Sequence, residues 1–126
     1  MRLAGALAAS VLAATLLDDL FVASKLSHPR PWVVLVGALV LAAALLALAP
    51  RAGSLSVTVG AGIAAGGALA TVVGGIAWRD GVPNPLVANG IAFNLADVAI
   101  AVGDALLIAG ALVHAFRHRD RLGAAV

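Results

Sequence analysis

Asn94 and Asp97 stand in an otherwise apolar run, Phe93-Asn94-Leu95-Ala96-Asp97-Val98-Ala99-Ile100-Ala101-Val102, with Gly103 and Asp104 next. A carboxylate at the centre of a membrane costs about 3 kcal/mol even on lenient insertion scales, so such a residue faces a bundle interior or a wet cavity. On one helix, Asn94, Asp97, Ala101 and Asp104 would share a face. Asp18 and Asp19 form a second acidic pair, near the end of the first apolar run. Neighbouring helical residues point about 100° apart, so only one of these two can face Asp97. Two carboxylates held together in a low dielectric share a proton, which is the starting arrangement of aspartic-protease chemistry. The alternative is structural: an Asn-Asp pair near a helix start caps it and is favoured there by the helix dipole. His28, His114 and His118 lie at the edges of apolar runs. No two of them share a face with a carboxylate at metal spacing, so neither a metal nor a cofactor is expected.

Long helices must position these residues. The chain has 126 residues, 63% hydrophobic and 11% charged, with a mean hydropathy of +1.09. That composition points to an all-α integral membrane protein, and the length to a single domain, 1–126. Four membrane helices are expected, at about 3–23, 31–49, 53–78 and 90–115, joined by short external loops. The first apolar run continues past Asp18-Asp19 through Leu20-Phe21-Val22-Ala23, which suits a membrane helix better than a cleaved leader. Half of the fourteen glycines fall in the third run, and the four-residue spacing of Gly62, Gly66, Ala70 and Gly74 admits a closely packed helix. There is no cysteine, hence no disulfide, and all six acids are aspartates.

The net charge of +2 does not indicate nucleic acid, because the basic residues sit at segment ends. With both termini inside, Arg2, Arg51, Arg117, Arg119 and Arg121 face the cytoplasm and Lys25, Arg30 and Arg79 face outward. The positive-inside bias thus predicts an N-in, C-in bundle. The segment from Arg79 to Pro85, rich in proline and glycine, becomes an external loop.

The stretch Phe93-Asn94-x-Ala96-Asp97-x-x-Ile100-x-x-Gly103 resembles the last motif of the lipoprotein signal peptidases (signal peptidase II), which are intramembrane aspartic peptidases. Gly66-Gly67-Ala68-Leu69 resembles the start of that family's helix-three motif, Gly-Gly-Ala-Leu-Gly-Asn-x-x-Asp-Arg. Asp18 in Leu17-Asp18-Asp19-Leu20 resembles its early Asp-x-x-Ser/Thr-Lys motif. The chain departs from the pattern where chemistry is done. Ala70 and Thr71 replace Gly-Asn, Gly74 and Gly75 replace Asp-Arg, and Phe21 and Val22 replace Ser/Thr-Lys. Asn84 stands where the external catalytic aspartate belongs, and the β-rich segment between the first two helices is cut down to Ser24–Arg30.

The resemblance implies a four-helix bundle in a bacterial cytoplasmic (inner) membrane, with Asp97 as the surviving catalytic carboxylate and Asn94 as its neighbour. Asp80 or Asp18 is the candidate replacement for the lost second acid, with Asn84, Asp19 and Asp104 as further polar neighbours. On this reading the chain is a shortened, divergent peptidase-like protein impaired in lipoprotein processing, and its partners are membrane lipid and a lipoprotein signal segment. Two other classes compete. One is a non-enzymatic membrane subunit that recognises a partner's transmembrane helix. The other is a small proton-coupled transporter, for which Asp104 is the best argument.

Overall fold

A computed structural model describes residues 2–21, 27–78, 81–84, 86–89 and 91–124. Asp80, Lys25 and Arg79 lie outside the described residues. The chain runs α1 (Arg2–Phe21), β1 (Ser27–His28), α2 (Trp32–Leu48), a 3-10 turn (Ala49–Ala52), α3 (Leu55–Ala77), β2 (Val82–Pro83), β3 (Leu86–Ala88), β4 (Ile91–Phe93), α4 (Leu95–Arg117) and α5 (Arg119–Ala124). The helices α1, α3 and α4, and α2 with its 3-10 turn, are long and apolar enough to cross a membrane.

The reversal between α2 and α3 follows from local chemistry. Pro50 sits at the start of the 3-10 turn, and Gly53 takes the left-handed conformation at φ 65° that closes it. Ser54 then caps α3, its hydroxyl accepting from the Val57 amide at 3.4 Å.

The connection into α4 differs from the expected short loop. A helix from about residue 90 gives way to a hairpin, in which Leu86, Val87 and Ala88 pair antiparallel with Phe93, Ala92 and Ile91. Asn89, at φ 52°, turns the chain. Asn89-Gly90 between two apolar runs is the strongest short-range hairpin signal a sequence can carry, and it overrides the apolar continuity. A second two-stranded ladder joins Ser27 to Pro83 and His28 to Val82. It ties the α1–α2 connection to the α3–α4 connection, so both sit at one end of the bundle, here termed the hairpin end. Arg2, Arg51 and Arg117 mark the opposite, basic end.

Helix α3 is the centre. Twelve of its twenty-three residues are buried, among them Ala61, Ala64, Ala65 and Ala68, and it packs on α1, α2 and α4, whereas α1 and α4 barely touch. Its glycines divide by face. Gly62 and Gly66 lie against α1, where an added Cβ would meet the Ala4 and Ala8 carbonyl oxygens at 2.9 and 2.7 Å. Gly60 and Gly67 lie against α4, where a Cβ would meet the Gly103 and Ala96 carbonyl oxygens at 2.6 and 2.7 Å. Helix α4 answers with its own glycine: a Cβ on Gly103 would lie 2.6 Å from the Gly60 carbonyl oxygen. Backbones at this separation tolerate only hydrogen at the contact.

Gly103→Ala is therefore expected to destabilise the bundle by about 1–3 kcal/mol, the range for overpacking a tight contact. Gly37, on the exposed side of α2, has nothing within 4 Å of its missing Cβ, so Gly37→Ala should leave stability unchanged or raise it by up to about 1 kcal/mol. Thermal unfolding of both variants in the same detergent checks the contrast.

Candidate functional site

Of the polar residues singled out in the sequence, Asp18, Asp19, Asn84, Asn94 and Asp97 collect at the hairpin end, where α1 finishes and α2 and α4 begin. Helix α1 buries Ala4, Ala8, Thr15 and Asp19. Intervals of four, seven and four place these residues on one stripe, and that stripe is turned toward α3. The inward-facing member of the acidic pair is thus Asp19, which is 6% exposed. Asp18 stands half-buried beside it. Asp19 lies within electrostatic range of Asp18, Asp97 and Arg30. The Thr15 hydroxyl donates to the Val11 carbonyl one turn back, so it is satisfied within its own helix.

Asn94 and Asp97 form a reciprocal cap. The Asp97 amide donates to Asn94 Oδ1 at 3.1 Å, and the Asn94 amide donates to Asp97 Oδ2 at 3.0 Å. Asn94 is the N-cap of α4 and Asp97 its third residue. The pair therefore does what a capping box does, satisfying two amides that the first turn of a helix leaves without carbonyl partners. Asn94 stands just outside the helix, and Asp97 sits in its first turn, about one turn nearer the helix end than a start near residue 90 would place it.

A second donor reaches Asp97 Oδ2. Arg30 Nη2 lies 3.4 Å from Asp97 Oδ2, with the two side chains 22% and 34% exposed. At that exposure the ion pair contributes no more than about 1 kcal/mol. Arg30 is the site residue that the sequence reading treats only as a loop charge. The signal for it is the string His28-Pro29-Arg30-Pro31, in which two prolines fix the backbone on either side of one cation. Gly75 explains how it fits: a Cβ there would lie 3.3 Å from the Arg30 Cβ and would strike the end of the Leu35 side chain. The bare backbone of α3 at Gly75 makes the room that Arg30 and Leu35 fill.

The remaining candidates are placed as follows. Asn84 follows β2 and is 2% exposed. Asp104 lies half-buried on α4, beside the tightly packed Gly103 and two turns from Asp97. Asp19 Oδ1 and Arg30 Nε are buried and find no hydrogen-bond partner among the described residues. Among those residues, no group of three histidines or acids is placed to hold a metal ion.

The site thus combines one carboxylate engaged by a cap and a guanidinium with a second, buried carboxylate whose Oδ1, like Arg30 Nε, is unpaired among the described residues. No protein-family model, no curated protein and no solved structure matches the chain.

Asn94→Ala is expected to cost about 1 kcal/mol of stability, while Asn94→Ser, which keeps a capping oxygen, recovers most of it. Arg30→Gln should cost less than the cap, because the pair it breaks is partly solvated. Unfolding midpoints of the three variants give the order directly.

Proposed function

We propose that the chain is a divergent signal peptidase II-like protein of a bacterial cytoplasmic membrane. On this reading it recognises an extended peptide segment at the hairpin end and does not hydrolyse it. The observation that carries the proposal is the engagement of Asp97. An aspartic peptidase needs two carboxylates around one water, one to activate it and one to hold the proton. Here one Asp97 oxygen, Oδ2, accepts from the Asn94 amide and from Arg30, which ties the carboxylate to the cap. The resemblance places an Asp-Arg pair at Gly74-Gly75 and an external aspartate at Asn84. Arg30, entering from a different segment over Gly75, supplies a cation to Asp97 in place of that lost arginine. Nothing comparable restores the acid at Asn84.

Recognition is supported by two unpaired polar atoms. Asp19 Oδ1 accepts and Arg30 Nε donates, and neither is satisfied within the described chain. Both atoms are buried, so the N–H and C=O that an extended peptide offers at each residue pair with them once the side chains covering them shift. The partner is a lipoprotein signal segment or the end of a partner's transmembrane helix. The arginine-rich basic end faces the cytoplasm and the hairpin end faces outward.

A specific observation favours one competing reading. Asp19 is buried at the same end of the bundle as Asp97, which makes it the candidate to stand in for the missing acid. Expression in cells depleted of their own lipoprotein signal peptidase separates the two. The proposal expects prolipoprotein to stay unprocessed while this chain accumulates in the membrane, since loss of a catalytic acid or base costs about 100- to 10,000-fold in rate. Robust processing that both Asp97→Asn and Asp19→Asn abolish would instead establish hydrolysis by that pair.

The orientation has its own test. In the cysteine-free background, Leu86→Cys should react with an impermeant maleimide added outside intact cells, and Arg119→Cys only after lysis. The reverse pattern would invert the topology.

A further inference from the structure

The basic end holds a feature that recognition at the hairpin end does not use. A cavity of about 510 Å³ opens between the start of α3 and the end of α4, and its polar walls are Ser54, Ser56, His114, Arg117 and His118. Beside it lies a second cavity of about 400 Å³, walled by Ala52, Val57, Ala111 and Ala115 and edged by Arg121. His114 and His118 border both. They form the partition, with ring centroids 4.3 Å apart, and the His118 ring is held by a 2.9 Å contact from Nδ1 to the His114 carbonyl oxygen. A polar, cationic chamber therefore adjoins an apolar one across a shared wall.

The charge around the pair is one-sided. Arg2, Arg51, Arg117, Arg119 and Arg121 lie at this end, against the single acid Asp120. Arg51 is turned back onto the Ala47 carbonyl at 2.7 Å, and Arg2 and Arg119 border neither chamber, which leaves Arg117 on the polar chamber and Arg121 on the apolar one. An occupant must carry negative charge beside a hydrocarbon part, and must reach a membrane-embedded bundle from its edge. We propose that these two chambers form a binding site for one anionic phospholipid, its phosphate held by Arg117, Ser56 and the histidine partition, and part of an acyl chain lying along Val57, Ala111 and Ala115. Basic pockets between membrane helices on the cytoplasmic side commonly take anionic headgroups by this combination of charge and apolar contact. The inference rests on the membrane placement proposed above and is independent of peptide recognition at the other end.

The test is lipid retention. The full chain is reconstituted into nanodiscs holding equal phosphatidylglycerol and phosphatidylcholine, released, and its bound lipids counted by native mass spectrometry. Phosphatidylglycerol should be retained in excess. Arg117→Gln and Arg121→Gln, which remove the cations bordering the two chambers, should each lower that excess about tenfold, the effect of losing one charge-assisted hydrogen bond. Arg119→Gln removes the same charge from the same end without touching a chamber and should leave it unchanged. Ala111→Phe fills the apolar chamber without altering charge and should also lower retention. The proposal is overturned if the two lipids are retained equally, or if Arg119→Gln costs as much as Arg117→Gln, which would mean diffuse surface attraction. It is likewise overturned if inorganic phosphate displaces the bound species without lipid, which would assign the chamber to a soluble anion. A chain that does not enter the nanodisc overturns the membrane reading and this inference with it, whereas one that enters without lipid preference overturns this inference alone.

Discussion

The close approach of α3 to α1 on one side and to α4 on the other is the constraint on which everything else rests. Lipid tails are as apolar as leucine, so membrane helices gain little from hiding apolar side chains from them; they associate by packing backbones closely. Gly62 and Gly66 admit α1, while Gly60, Gly67 and Gly103 admit α4. The alanines between these glycines fill the remaining space without pushing the helices apart. The large apolar side chains point the other way: Leu39, Val40, Ile108 and Leu112 are all exposed on the outer faces. The core of this bundle is small and the periphery large, the inverse of a water-soluble bundle.

The same constraint builds the polar end. With α1 and α4 both pressed on α3, Asp19 at the end of one and Asp97 at the start of the other arrive on the same side of the bundle. Gly75 extends the principle by one more position, leaving room over α3 for Arg30. The ladder between β1 and β2 then ties the segment that carries Arg30 to the α3–α4 connection. One carboxylate here, Asp97, is paired with Arg30 and held by a cap, an arrangement that opposes the mobile proton an acid–base catalyst needs.

Much of this was legible in the residues. Four apolar runs read as four long helices, and the small-residue spacing in α3 correctly marked the face that receives α1. The acidic residues were recognisable as a group because burying a carboxylate is costly wherever it happens. Other features were hidden for definite reasons. The start of α4 was obscured because Ile91, Ala92 and Phe93 are apolar enough to extend a helix, and only the Asn89-Gly90 turn signal argues otherwise. Which of Asp18 and Asp19 turns inward depends on the phase of the stripe through Ala4, Ala8 and Thr15, and three small residues among many alanines do not announce a phase. Arg30 was invisible as a partner of Asp97 because the two are 67 positions apart, and their meeting depends on an absent side chain at Gly75.

The claim that α3 is the hub, in backbone contact with both α1 and α4, can be tested without altering a residue. In nuclear Overhauser spectra of the alanine- and valine-methyl-labelled chain in nanodiscs, the account predicts a cross-peak between the Gly103 α-protons and the Ala64 methyl. It predicts another between the Gly66 α-protons and the Val11 methyls, since these groups sit in van der Waals contact across the two interfaces. Strong intrahelical peaks with both of these interhelical peaks missing would contradict it, and the polar site assembled by those contacts would have to be abandoned with the packing.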